Sequence, residues 1–149
     1  MIKNIKCTAP CLTKGLAKGL WEYHEPWQCE IQTDSGVYSI IIMPGYWTDL
    51  ASVPKAVRNI FDIGASEYGV LIASQVHDAL YSTHYMSKDF ADKIFYEILR
   101  YYGMNFVKAN IYYKAVSWFG NNAWDDADIH VGQMEADKQL IMFKWNDKK

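Results

Sequence analysis

The sequence predicts an α+β fold in which an N-terminal β-hairpin packs on a bundle of three to four helices. Two patterns carry this prediction: apolar residues alternate with polar ones from residue 27, and they recur at helical spacing between residues 67 and 119. Half of the 149 residues are hydrophobic and 15% are aromatic, so the chain can bury a sizeable core. We expect a single domain covering residues 1–149.

The hairpin is predicted from two short segments joined by a turn. Trp27, Cys29 and Ile31 alternate with polar residues, as in a strand that buries one face. The Asp-Ser-Gly tripeptide at 34–36 supplies the turn, and residues 37–43 form a second, almost fully apolar strand. Because only one register hides the alternating set, Trp27, Cys29 and Ile31 should face the core.

The helices are predicted from apolar periodicity and from capping residues. Three segments have the period of a helix, at about residues 67–82, 87–102 and 105–119. Ser87 and Asn105 stand where an N-cap side chain accepts a hydrogen bond from the first turn. Gly103 and Gly120 mark the ends of the last two helices.

The segments that flank these helices give weaker patterns. Ser52, followed by a proline, resembles a helix start and predicts a short helix to about Asp62, closed by Gly64. After the third helix, residues 121–137 are polar and acidic, which predicts a surface loop. Residues 140–145 are apolar again and predict an added C-terminal strand.

Charge and hydropathy argue against two classes of partner. With 15 Lys and Arg against 17 Asp and Glu, the chain has no net attraction for a polyanion, so we expect no nucleic acid as its main partner. Four lysines near the N-terminus form either a local basic patch or an ordinary solvated face: Lys3, Lys6, Lys14 and Lys18. The longest purely apolar runs, such as residues 40–43, are too short for a transmembrane segment.

Cysteine usage indicates a reducing compartment. Three cysteines leave one unpaired under any disulfide scheme, and the N-terminus lacks the apolar stretch of a signal peptide, so we expect the cytoplasm of the cell in which the protein is made. Two interpretations of the thiols stay open. They are ordinary buried thiols, or they gather around zinc with a nearby histidine, in the set Cys7, Cys11, His24 and Cys29.

A histidine and an aspartate are predicted to meet between the first two helices. His77 lies in the middle of an apolar stripe, and Asp92 lies at the edge of an apolar face, whereas Asp89 points to solvent. In an antiparallel pair, positions at equal distance from the turn lie side by side. Because His77 and Asp92 are equally distant from the boundary residues Ser82 and Ser87, we predict a hydrogen bond between them.

This pair admits a catalytic and a structural interpretation. A carboxylate that accepts the Nδ1 proton of His77 leaves Nε2 free as a base, as water activation requires. The alternative is a buried His–Asp contact that only ties two helices together. Tyr81, on the same face as His77, is a candidate catalytic hydroxyl or an ordinary core aromatic.

Carboxylates near these residues are candidate ligands of a divalent metal, with calcium first. Asp78 follows His77 directly, and Asp49 lies with Ser52 in an irregular segment, where functional residues concentrate. A second acidic group either collects a calcium ion or is a solvated loop; it consists of Asp125, Asp126 and Asp128.

Four segments together resemble a family of bacteriophage and prophage proteins catalogued as domain of unknown function 1353. They are TDLASVP at 48–54, HDALY at 77–81, FADKIF at 90–95 and VSWFGNNAW at 116–124. The resemblance covers about the middle two-thirds of the chain. It implies a phage gene product and brings no known reaction.

HDALY followed by AD-x-x-F also resembles the histidine–aspartate core of phospholipase A2, including the short form carried by parvovirus capsids. This resemblance implies that His77 is the base that activates water and that Asp92 orients it. It further implies Asp78 as a calcium ligand and Tyr81 as a supporting hydroxyl. The glycine-rich calcium loop and the paired cysteines of the secreted enzymes are not found in this sequence.

Two functional hypotheses follow. In the first, a phage-encoded accessory protein hydrolyses an ester-like bond, with lipid as a candidate substrate and a divalent metal as cofactor. In the second, a non-enzymatic virion or tail protein contacts other phage proteins through an aromatic surface, since the chain has eleven tyrosines and six tryptophans. An open cleft at His77 favours the first hypothesis, and full burial favours the second.

Overall fold

The computed structural model describes residues 1–8, 12–14, 21–48, 67–129 and 131–147. These residues form an α+β fold, as the sequence predicts. The strands are β1 (Ile2–Cys7), β2 (Leu12–Lys14), β3 (Trp21–Tyr23), β4 (Trp27–Thr33), β5 (Gly36–Ile42), β6 (Trp47–Thr48) and β7 (Ile141–Asp147). The helices are α1 (Glu67–Thr83), α2 (Lys88–Tyr101), α3 (Phe106–Phe119), α4 (Asn121–Ile129) and α5 (Val131–Leu140).

Strands β4 and β5 form the predicted antiparallel hairpin. Its core-facing residues are as expected, because Trp27, Cys29 and Ile31 are fully buried. The turn is held by Thr33, whose hydroxyl accepts from the backbone N–H of Gly36 at 3.3 Å and donates to the Gly36 carbonyl at 3.0 Å. The alternating pattern of β4 therefore fixes both the register and the buried face.

The hairpin is the centre of a four-stranded antiparallel sheet with the order β1-β4-β5-β7. The added C-terminal strand was predicted, and it is β7. Strand β1 was missed, because its register shifts between Ile2 and Asn4, which breaks the two-residue period. A second antiparallel sheet, β2-β3-β6, was also missed, since strands of two or three residues are too short to show a period.

The three predicted helices are confirmed as α1, α2 and α3 to within one residue at each end. Ser87 caps α2 by accepting from the N–H of Phe90 at 3.1 Å. Asn105 caps α3 by accepting from the N–H of Lys108 at 2.9 Å. Gly103, just after α2, has a φ of 94°, a conformation that glycine adopts at little cost.

The surface loop predicted for residues 121–137 is wrong, because this segment is helical in α4 and α5. Trp124 faces inward and stacks on His84 with a centroid distance of 3.5 Å, and Met134 is buried. Asp125, Asp126 and Glu135 are exposed on these helices, and an exposed polar composition does not distinguish a helix from a loop. The short helix predicted up to Asp62 and Gly64 lies outside the described residues.

Helix α1 occupies the interior of the molecule. Every residue from 72 to 77 on this helix is buried, as expected for a helix that neighbours cover on several sides. The buried side chains of the sheet and helices form one hydrophobic cluster. Within the described part of the chain, no helix has the length and hydropathy needed to cross a membrane.

Candidate functional site

His77 of α1 and Asp92 of α2 form the predicted contact. The His77 Nε2 atom lies 2.8 Å from Asp92 Oδ1, and the two side chains are 3% and 1% exposed. Asp89, one turn earlier on α2, is exposed, as the helical projection predicts. The residue spacing therefore predicted the contact between His77 and Asp92 correctly, while the catalytic role of the pair stays a prediction.

The orientation of the His77 ring is the reverse of the one expected from the sequence. Nε2 faces Asp92, whereas Nδ1 is buried and has no hydrogen-bond partner among the described residues. The ring packs against Tyr81 at a centroid distance of 4.0 Å and against Phe95 at 5.3 Å. Residue spacing decides which positions face each other, but side-chain packing decides which edge of the ring faces the carboxylate.

Two further donors converge on Asp92. The Tyr81 hydroxyl donates to Oδ1 at 2.6 Å, the oxygen that His77 also contacts. The Lys88 ammonium donates to Oδ2 at 2.8 Å and to the Ser117 carbonyl of α3 at 2.9 Å. The Asp92 carboxylate therefore joins α1 to α2, and the Lys88 ammonium joins α2 to α3.

These contacts decide the ionisation of the cluster. Burial raises the pKa of Asp92, but hydrogen bonds from His77, Lys88 and Tyr81 lower it, and the pKa is lowered overall. An ionised carboxylate can only accept hydrogen bonds, so Nε2 carries a proton and donates a hydrogen bond to Asp92. When the imidazole is neutral, Nδ1 is the nitrogen with a free lone pair. Burial, and then the hydrogen bond to Asp92, raises the pKa of Tyr81, which stays a neutral donor.

Asp78 belongs to a different set of contacts. Its Oδ2 accepts from the Thr48 hydroxyl of β6 at 2.6 Å, and its backbone carbonyl accepts from Tyr46 at 3.3 Å. Tyr46 also shares a hydrogen bond of 2.6 Å with Ser82. Asp78 therefore anchors β6 to α1. Asp49, the second predicted metal ligand, lies outside the described residues.

Two other metal sites were considered from the sequence, a cysteine–histidine set for zinc and an acidic group for calcium, and the structure describes only some of their residues. Cys7 and Cys29 lie side by side with their sulfurs 2.7 Å apart, His24 is exposed, and Cys11 is outside the described residues. Asp125 and Asp126 are exposed on α4. No three His, Cys, Asp or Glu side chains within the described ranges lie close enough to hold a metal ion.

Among the N-terminal lysines, Lys3 forms an ion pair with Asp34, with Nζ and Oδ1 2.9 Å apart.

Sequence reasoning missed Lys88. Its spacing to Asp92 is the i,i+4 spacing at which opposite charges meet on a helix, so a signal was present in the sequence. A second buried polar pair was also missed: the Tyr23 hydroxyl donates to Gln75 Oε1 at 2.6 Å, two positions before His77 on α1. Its partners are 52 residues apart, and no local pattern connects them.

No curated protein and no solved structure matches the chain significantly. A family model described as "Protein of unknown function (DUF1353)" matches residues 21–116. The match spans more than half of the chain and includes the Thr48 segment, His77 and Asp92, whereas most of the VSWFGNNAW segment follows it. The chain therefore belongs to the family of proteins of unknown function DUF1353.

Proposed function

We propose that this protein is a hydrolase of an ester-like bond in which His77 acts as the general base through Nδ1. The proposal rests on one observation: only one of the two ring nitrogens of His77 has a hydrogen-bond partner among the described residues. Nε2 is held by Asp92 at 2.8 Å, while Nδ1 has no partner among the described residues although it is buried. A buried polar atom without a partner costs about 1–3 kcal/mol, and a catalytic role is one reason to retain it.

The proposed reaction uses the lone pair on Nδ1. Nδ1 takes a proton from a water molecule as the water oxygen attacks the ester carbonyl, and His77 becomes an imidazolium. Asp92 stabilises that cation through Nε2, and Tyr81 keeps the carboxylate in position. The Nδ1 proton then passes to the leaving alkoxide, so one ester and one water give one acid and one alcohol.

The substrate class rests on resemblance. HDALY and AD-x-x-F resemble the phospholipase A2 core, which favours a lipid ester as the substrate. The shared use of Asp92 Oδ1 by His77 and Tyr81 supports the roles that this resemblance implies for the three residues. The four family segments likewise support a phage gene product that acts in the host cytoplasm or is incorporated in the virion.

A calcium ion remains a separate part of the proposal. Calcium takes about six to eight oxygen ligands, and among the described residues Asp78 offers a single carboxylate that already accepts from Thr48. The described residues therefore do not by themselves fit a calcium site, and no step is assigned to the metal. If calcium binds through Asp78 and Asp49, its addition will raise the melting temperature of the wild type, and Asp78→Asn will lose that rise.

The activity is tested by hydrolysis of short-chain fluorogenic esters and of mixed phosphatidylglycerol and phosphatidylcholine vesicles, each with millimolar calcium or with a chelator. We expect turnover by the wild type and its loss in His77→Gln, which cannot act as a base. Asp89→Asn serves as the matched control, because Asp89 is exposed on the same helix as Asp92. If the wild type hydrolyses neither substrate class under any condition, the hydrolase proposal is overturned.

A non-enzymatic role in the particle is the second candidate. The near-complete burial of His77 and Asp92 favours it, since a purely structural pair needs no access for substrate. The outer face of α3 also exposes Val107, Ile111 and Trp118, spaced as one stripe along the helix. Such a stripe suits contact with another phage protein. Under this hypothesis, substitutions in the cluster change the melting temperature and no turnover is found.

A further inference from the structure

Two thiols face each other between neighbouring strands of the main sheet. Cys7 of β1 is the register partner of Cys29 of β4, and their sulfurs lie 2.7 Å apart. Both are free thiols; Cys29 is fully buried and Cys7 is partly exposed. This pair has no part in the proposed hydrolase reaction.

The backbone at this position suits a covalent bond between the two sulfurs. The N–H of Thr8 donates to the Gln28 carbonyl at 2.9 Å, which makes Thr8 and Gln28 a hydrogen-bonded pair of the ladder. In an antiparallel ladder the next pair, Cys7 and Cys29, is then non-hydrogen-bonded, with Cα atoms about 4.5 Å apart. Disulfides span Cα separations of about 4.4–6.8 Å, so the bond forms without moving the backbone.

We infer that Cys7 and Cys29 are a reversible dithiol–disulfide pair, reduced in a reducing compartment and oxidised when the protein meets a low-molecular-weight disulfide such as glutathione disulfide. The Cys7 thiolate attacks one glutathione sulfur and releases one glutathione thiolate. Cys29 then gives its proton to water, and its thiolate attacks the Cys7 sulfur and releases the second glutathione as a thiolate. The two glutathione thiolates take up the two protons that the cysteines lost. One glutathione disulfide is reduced to two thiols while one protein disulfide forms.

The two cysteines have different roles in this exchange. The hydrogen bond with Cys7 and then burial raise the pKa of Cys29, which keeps that thiol protonated and shielded. Cys7 is therefore the sulfur that meets the oxidant, and Cys29 is the one that resolves the mixed disulfide. Because β1 is an edge strand, the bond fastens it to β4 and closes the chain between residues 7 and 29.

The test is to equilibrate the full-length wild type in glutathione buffers of increasing oxidised fraction. We expect the number of free thiols to fall from three to one and the melting temperature to rise by on the order of 10 °C. A dithiol reductant should reverse both changes. No disulfide should form between two molecules.

The pairing is identified by tryptic mapping. Cys7 and Cys11 lie in one tryptic peptide, 7–14, so the mapping uses Cys11→Ser to remove the ambiguity. We expect peptide 7–14 to be linked to peptide 19–55, which contains Cys29, and the link to be absent from the Cys7→Ser, Cys11→Ser double variant.

Each of the following results overturns the inference: three thiols that persist in oxidising buffer, a Cys7–Cys11 bond in the wild type, a stable glutathione adduct, or a covalent dimer. Stoichiometric zinc held by Cys7 and Cys29 also overturns it, because the thiolates would then be metal ligands. If Cys11→Ser folds poorly, the thiol counts of Cys7→Ser and Cys29→Ser decide the question, because a Cys7–Cys29 bond needs both residues, whereas a Cys7–Cys11 bond survives Cys29→Ser and a Cys11–Cys29 bond survives Cys7→Ser.

Discussion

The Lys88 ammonium lies 2.8 Å from Asp92 Oδ2, one helical turn away on α2. The same ammonium donates to the Ser117 carbonyl at 2.9 Å, near the end of α3. The Lys88 side chain is only 18% exposed, so this charge pair is screened less than a surface pair. One cation therefore ties the start of α2 to the end of α3 and balances the buried carboxylate.

Lys88→Met should destabilise the protein by about 2 kcal/mol, because it leaves a buried carboxylate without its cation. The matched control is Lys93→Met on the exposed side of the same helix, which should change the unfolding free energy by less than about 0.5 kcal/mol. Urea unfolding followed by circular dichroism measures both. Equal effects from the two substitutions would show that the ammonium does not stabilise the cluster.

Asp92→Asn should remove an acid-dependent component of stability. The folded pKa of Asp92 is lowered, so its contribution is fully present above the unfolded pKa of about 3.9 and is lost as pH falls through the folded pKa. We expect the wild type to lose this stability below about pH 4, and Asp92→Asn to lack it already at pH 7. Asp89→Asn should retain the wild-type dependence. Urea unfolding between pH 7 and pH 2 gives the comparison, and parallel curves for wild type and Asp92→Asn would contradict the prediction.

His77→Gln should separate activity from stability if His77 is a base. The glutamine amide can still donate to Asp92 but cannot accept a proton at neutral pH, so turnover should fall by at least about 100-fold. The melting temperature should change little. His24→Gln, at an exposed position, should alter neither property. A large fall in melting temperature with no wild-type turnover would instead support the structural hypothesis.

Gly120→Ala should disturb the cluster from outside it. A Cβ atom at Gly120 would lie 2.5 Å from the Tyr81 hydroxyl oxygen, which donates to Asp92. We expect a loss of about 1–3 kcal/mol from this overpacking. Gly132→Ala, where nothing lies within 4 Å, should be neutral or stabilising by up to about 1 kcal/mol, since alanine favours a helix. Thermal melts of the two variants would refute the packing argument if both shifted in the same direction.

The contact between His77 and Asp92 could be predicted because it depends only on where α1 ends, where α2 begins and how long the turn between them is. Ser87 fixes the start of α2, and the equal distances from the turn then fix which residues face each other. Which nitrogen of His77 faces Asp92 could not be predicted, because it depends on how Tyr81 and Phe95 pack against the imidazole ring. No spacing rule contains that information.

The fold was predictable where a period was long enough to be recognised. The hairpin and the three capped helices meet that condition, whereas the irregular register of β1 and the very short β2, β3 and β6 do not. The α4–α5 region was misinterpreted because an outward acidic face has the composition of a loop. Trp124 and Met134, the inward residues, were the available signal for an amphipathic helix.

The pairing of β7 with β5 has a consequence for synthesis of the chain. Ile42 pairs with Ile141, so the edge of β5 is covered only after all five described helices have been made. Until then β5 presents unpaired backbone groups beside the buried side chains of Ile40 and Ile42. During translation the free edge of β5 can pair with β5 of another nascent copy. Exchange of β7 between two molecules would also pair the backbone groups of this edge, as the native β5–β7 pairing does.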